Sequence, residues 1–166
     1  VNWALVDPNA TIAATLPRPA IDNPMLGPYG IAPDAAGGYF FPDLPQHRIF
    51  HVDASGVLTL VAGTGVNTDP DGVITNGMMA TDAPIYGPRS LVFDGTNLRL
   101  YFLDQTNFVD DNPYKEPLGS ARVRMIDLAS GQISTVAGGS SADPLDTDAL
   151  AVPLVAGPSV LASILL

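Results

Sequence analysis

Apolar and polar residues alternate in the same way along two stretches of this chain. Residues 47–65 read HRIFHVDASGVLTLVAGTG, and residues 123–139 read VRMIDLASGQISTVAGG. Each copy has an apolar stretch ending in Asp (Asp53, Asp127), a small-residue turn closing on Gly (Gly56, Gly131), a second alternating stretch and then Val-Ala-Gly. Alternation with period two puts every second side chain on one sheet face, so each copy predicts two half-buried antiparallel strands. The Asp, Ser and Gly between them supply the local hydrogen bonds and positive φ of a tight hairpin. A fainter version near the start runs Val6-Asp7, Pro8-Asn9 and then TIAATL.

A second signature precedes the first. Gly27-Pro28-Tyr29-Gly30-Ile31 matches Gly87-Pro88-Arg89-Ser90-Leu91, and Gly157-Pro158-Ser159-Val160-Leu161 resembles both. A connector, Thr81-Asp82-Ala83, returns as Thr147-Asp148-Ala149. The unequal spacing of the Gly-Pro pairs, 27 to 87 and then 87 to 157, implies similar units with loops of different length. Four short strands are predicted per unit. The first set is near Tyr29–Ala32, Gly38–Phe41, Arg48–Asp53 and Val57–Ala62; the second is near Ser90–Asp94, Arg99–Leu103, Arg122–Asp127 and Gln132–Ala137. Between Gln105 and Ser120 the polar, Pro-bearing FVDDNPYKEPLG reads as a long surface loop. An irregular β-sandwich with accidental internal similarity is the alternative architecture.

These residues resemble NHL repeats, a family of β-propeller blades. The likeness is carried by Gly87-Pro88 with a strand ending in Asp94, by Tyr101-Phe102-Leu103-Asp104, and by Gln46-His47-Arg48-Ile49. Val-Asp/Ile-Asp, the Gly turn, Thr-Val-Ala-Gly and the linker Ala80-Thr81-Asp82-Ala83 complete it. Pro33, Pro42 and Pro45 interrupt the first unit, and the second carries the long insertion. The resemblance implies a propeller scaffold and no single activity. Propellers close with about four to eight blades, whereas 60–75 residues per unit would give this chain roughly 2.2–2.8. The expected fold is therefore all-β, a β-propeller-like arc of four-stranded antiparallel blades, two of them full, with partial blades at each end. Residues 1–24 form a partial blade and linker, 25–66 a blade with linker 67–86, 87–139 a blade with linker 140–156, and 157–166 the first strand of the next. Such an arc cannot close a ring alone. It predicts association with a larger propeller chain or with copies of itself, through terminal residues such as Asn2, Trp3 and Leu5 meeting Ser159, Val160, Leu161 and Leu165.

Composition agrees with this picture. Sixteen Gly and sixteen Pro in 166 residues oppose long helices, and 46% hydrophobic against 14% charged residues suits a surface partly consumed by association. A net charge of −10 argues against nucleic acid, whose affinity needs clustered Lys and Arg. Without cysteine there is no disulfide and no thiolate metal site, and no apolar run reaches the roughly 18–20 residues of a membrane span. Val1 in place of Met suggests a removed leader or a piece of a longer polypeptide. Asn9-Ala10-Thr11 is a formal glycosylation acceptor of little weight.

Candidate chemistry is sparse. Asn67, Asp69 and Asp71, followed by Gly72, place oxygen ligands as in the first half of a calcium loop, but Met78 stands where the closing Glu belongs. Asp143, Asp146 and Asp148 make a similar acidic connector. The two histidines, His47 and His51, would lie about 13–14 Å apart on one strand face, too far to share a metal, so His47 reads as a blade-surface residue. Asp43 and Asp104 end second strands; they either cap a turn or point into a central channel, and capping is the better reading. Trp3, Tyr29, Tyr39, Phe40, Phe41, Tyr101 and Phe102 read as core and inter-blade packing. The function these features favour is a non-catalytic module for protein interaction or structural self-assembly, located outside the cell or at its surface. It needs no cofactor, with calcium as an option. The alternatives are a fragment of a lactonase-like hydrolase or lyase whose catalytic groups lie on other blades, and a carbohydrate-binding propeller.

Overall fold

The computed structural model describes residues 16–66, 76–105, 120–138 and 154–155. Eleven strands are present among them: β1 (Arg18–Pro19), β2 (Ala32–Pro33), β3 (Tyr39–Asp43), β4 (Arg48–Val52), β5 (Val57–Ala62), β6 (Met78–Met79), β7 (Pro88–Asp94), β8 (Arg99–Gln105), β9 (Ser120–Asp127), β10 (Gln132–Ala137) and β11 (Leu154–Val155). They form two antiparallel sheets, ordered β1-β5-β4-β3-β2 and β6-β10-β9-β8-β7, with β11 pairing to β9. The fold is all-β, and each sheet is the expected four-stranded meander of a propeller-like partial fold.

Each meander gains one edge strand, and the second also gains β11. Arg18 and Pro19 pair with Leu58 and Val57, and Met78 and Met79 pair with Ile133 and Gln132. Residues assigned to linkers by sequence thus run along the outer edge of the blade they precede. The paths match in detail: Ala20 N–H donates to Gly56 O and Ala80 N–H to Gly131 O, both at 2.8 Å. Apolar periodicity could not reveal two-residue strands, because they are fixed by backbone pairing alone.

The repeated Val-Ala-Gly has a geometric meaning. Ile49 pairs with Ala62 and Phe50 with Leu60, leaving Val61 as a bulge; Val123 pairs with Ala137 and Arg124 with Thr135, leaving Val136 as its twin. A bulge sharpens the local twist and bends the strand away from its neighbour. The chain leaves both blades by the same bend.

The first blade's innermost strand departs from expectation. Of the predicted Tyr29–Ala32 strand only Ala32 joins the ladder, followed by Pro33, and Pro28 makes a lone bridge to Asp43. Gly30 breaks it with φ 111°, and its counterpart Ser90 also has positive φ (49°), inside a register shift of β7 between Arg89 and Val92. Glycine adopts that geometry without penalty and serine does not.

The core lies where the blades stack. Ala32, Phe40, Ile49 and Ala62 from the first blade join Ala80, Ala83, Ile85, Leu91, Leu100, Phe102, Ile126 and Ile133 in one buried cluster. Phe40 meets Phe93 with ring centroids 5.3 Å apart. At the seam Gly63 has φ 95°, and a Cβ there would fall 2.9 Å from Ile85 Cδ1, so close approach requires glycine. On the opposite face of the first blade, Phe41, Phe50, Val52 and Leu58 form a second cluster, with Leu16, Ala20, Tyr39 and Leu60 against it.

Candidate interaction surface

The two strand-end aspartates occupy the same position in their blades. Asp43 Oδ2 accepts from Leu26 N–H (2.9 Å) and Gln46 Nε2 (2.8 Å). Asp104 Oδ1 accepts from Tyr86 N–H (2.8 Å) and Gly87 N–H (2.9 Å), and its Oδ2 meets Arg124 Nη1 at 3.3 Å. Both are buried. They hold down the segment entering each innermost strand, 17–18 residues back, and do not simply cap the adjacent turn as the sequence suggested. Burial pushes the Asp43 carboxyl above its ordinary range, against the pull of Leu26 N–H and the Gln46 side chain.

The histidines do not share a strand. His47 lies in the turn before β4 with φ 50°; its Nδ1 contacts Tyr86 O and its ring meets Tyr86 edge-on at 5.9 Å. It pins one blade to the next and is no free blade-surface residue. His51 Nε2 lies 2.7 Å from Asp34 Oδ2, its ring 4.5 Å from that of Phe40. Asp34 Oδ1 also accepts from Ala36 and Gly38 N–H groups. The His51 contact and these N–H groups hold the Asp34 carboxyl below its ordinary range. Asp53, Asp94 and Asp127 cap the other hairpins and are depressed likewise, led by Ser55, Asn97 and Ser130 respectively. Among the described residues no group of three or more His, Asp or Glu could hold a metal ion.

What remains is apolar surface. Phe40, Phe41 and Phe102 are buried as expected, but Tyr29 is 52% exposed and carries the Arg89 guanidinium 5.0 Å from its ring centre. Position matching makes the exposure informative. Ile85 is 1% exposed, yet its counterpart Met25 is 55% exposed; Leu91 is 8% exposed, yet its counterpart Ile31 is 61% exposed. The second blade's leading edge is covered by the first, while the first blade's leading edge presents the same apolar pattern to solvent. Sequence reasoning missed Met25 and Ile31, although the 60-residue match to Ile85 and Leu91 carried the signal. On the far face of the second blade, Tyr101, Val123 and Ala137 are half-buried where their counterparts Phe40, Ile49 and Ala62 are buried.

The calcium-type positions Asn67, Asp69 and Asp71 lie outside the described residues, as do the assembly positions Asn2, Trp3, Leu5, Ser159, Val160, Leu161 and Leu165. Among the described residues no helix is long and apolar enough to cross a membrane.

No family model matches this chain, and no curated protein matches it. Among solved structures, a crystal structure of a nidogen/laminin complex is similar with TM-score 0.40 and 17% identity, over 65% of this chain and 30% of that one. The chain therefore spans under a third of that neighbour's length.

Proposed function

We propose that this chain is a non-catalytic β-propeller module of the NHL kind, working outside the cell by binding protein, including copies of itself. The observation that carries the reading is the apolar leading edge of the first blade, with Met25 and Ile31 mostly exposed while Ile85 and Leu91 are buried. Apolar side chains left exposed where their counterparts in the next blade are buried favour a contact site. Asp34, Asp43, Asp104 and both histidines support it further, since they are engaged in holding turns and blade junctions. The test is the native mass by light scattering over a range of protein concentration. Mass above 17.3 kDa that rises with concentration is expected; a monodisperse single chain throughout would reject self-assembly.

A further inference from the structure

The internal joint between the blades supplies a template for what covers the two unfilled surfaces. In that joint Ile85 packs over Gly63, Gly63 N–H donates to Ala80 O at 2.9 Å, and Phe93 stacks on Phe40. Most of its elements have a counterpart that is less covered, although Gly138, like Gly63, is buried. On the leading side, Ala20 and Pro28 match Ala80 and Pro88, and both are more exposed than those residues, as Met25 and Ile31 are. On the trailing side, Tyr101 and Val123 stand in for Phe40 and Ile49, and Ala137-Gly138 for Ala62-Gly63, down to the shared bulge. Leu16 and Ala20, which lie over the first blade's outer cluster, are themselves half-buried, so docking there extends an existing layer.

Resting on the self-assembly reading above, we infer that the leading edge of one copy (Met25, Ile31) docks on the trailing face of a second copy (Tyr101, Val123, Ala137) in the register of the internal joint. Met25 then takes the place of Ile85, beside the neighbour's half-buried Ala137. The contact is heterologous, so each copy keeps one free leading edge and one free trailing face, and association continues head to tail. Both surfaces are apolar, as the internal joint is, and neither has to strip water from a charged side chain named here.

The absence of cysteine makes the test specific, because any disulfide must be engineered. Met25→Cys and Ala137→Cys change an exposed side chain and a small half-buried one, so both variants are expected to fold. Mixed under mild oxidation, they form a disulfide-linked pair that neither forms alone, and a chain carrying both forms a ladder of multiples. Ile31→Asp weakens association by roughly tenfold or more while leaving the strand spectrum unchanged. If the native mass shows assembly but the disulfide fails to form, or forms equally in each single variant, the head-to-tail register is wrong and self-assembly stands. If the native mass is that of one chain at every concentration, both fall.

Discussion

The two blades fill one interior position with opposite chemistry. Phe50 and Arg124 sit at matched places in β4 and β9, each on the face that also carries the strand-end aspartate. In the first blade Phe50 packs with Phe41, ring centroids 5.5 Å apart, and Asp43 relies on a side-chain amide and a backbone N–H. In the second blade Arg124 reaches Asp104 and Pro84 O, and both charged side chains are almost fully buried. One backbone frame therefore tolerates either an apolar wedge or a buried ion pair. The frame is set by strand pairing, bulge and capped turn, and the wedge is an independent choice.

That independence predicts unequal costs. Asp104→Ala removes the carboxylate beside the buried Arg124 guanidinium, which keeps Pro84 O but cannot shed its charge; a loss of about 3–5 kcal/mol in urea unfolding is expected. Arg124→Phe converts the second blade to the first blade's solution and leaves Asp104 capped by the Tyr86 and Gly87 N–H groups. The loss is therefore smaller than for Asp104→Ala. Equal losses would mean that the two solutions are not interchangeable.

The second contrast is between a glycine at the blade seam and one at a blade tip. Gly63→Ala must accept positive φ, and its Cβ would collide with His47 O as well as meet Ile85 Cδ1 at 2.9 Å, for roughly 2–4 kcal/mol. Gly56→Ala meets open space at φ 83° and should cost about 1–2 kcal/mol. Calorimetry on both variants separates the cost of positive φ from that of crowding His47 O and Ile85; a Gly63 variant no worse than the Gly56 variant would show that these neighbours yield freely.

Much of this frame was legible in the residues. Alternation and the Asp…Gly turns located seven of the eight predicted strands, because a half-buried strand and its tight turn leave local marks at every position. The eighth, Tyr29–Ala32, looked like a strand by apolarity, but Gly30 gave the backbone a conformation that its neighbours' side chains do not report. The edge strands Arg18–Pro19 and Met78–Met79 left no apolar rhythm, since pairing across 38 and more residues defines them. For the same reason His47 was misread: its partner Tyr86 O is brought in by blade stacking, a contact no local pattern encodes.

Within the first blade, two aspartates respond to pH in opposite directions. The folded-state Asp34 carboxyl lies below its unfolded value, so its contribution is present above that value and is lost as pH falls through the folded one. The folded-state Asp43 carboxyl is raised, so the penalty of burying its charge is present at neutral pH and relieved as pH falls through the raised value. Asp43→Asn should therefore remove a stability gain on mild acidification, whereas Asp34→Asn should remove a loss at lower pH. Melting temperature followed from pH 7 to 3 reads both; parallel profiles for the two variants would break the assignment.

The smallest effect expected is at the inner rim, where the blades differ by a matched aromatic and cation. Tyr29 and Arg89 occupy equivalent positions after Gly-Pro, and the guanidinium rests 5.0 Å from the ring centre. Exposure of the ring limits the attraction to about 0.5–1 kcal/mol. Tyr29→Phe keeps the ring face and should be nearly neutral, while Tyr29→Leu and Arg89→Met should each lose that amount without adding, because they remove one shared contact. A double-mutant cycle by denaturant unfolding gives the coupling directly. Additive losses would leave the rim joined by the Ser90 N–H bond to Tyr29 O at 3.3 Å, and the positive φ that Ser90 shares with Gly30 would then serve that backbone contact rather than the stacking.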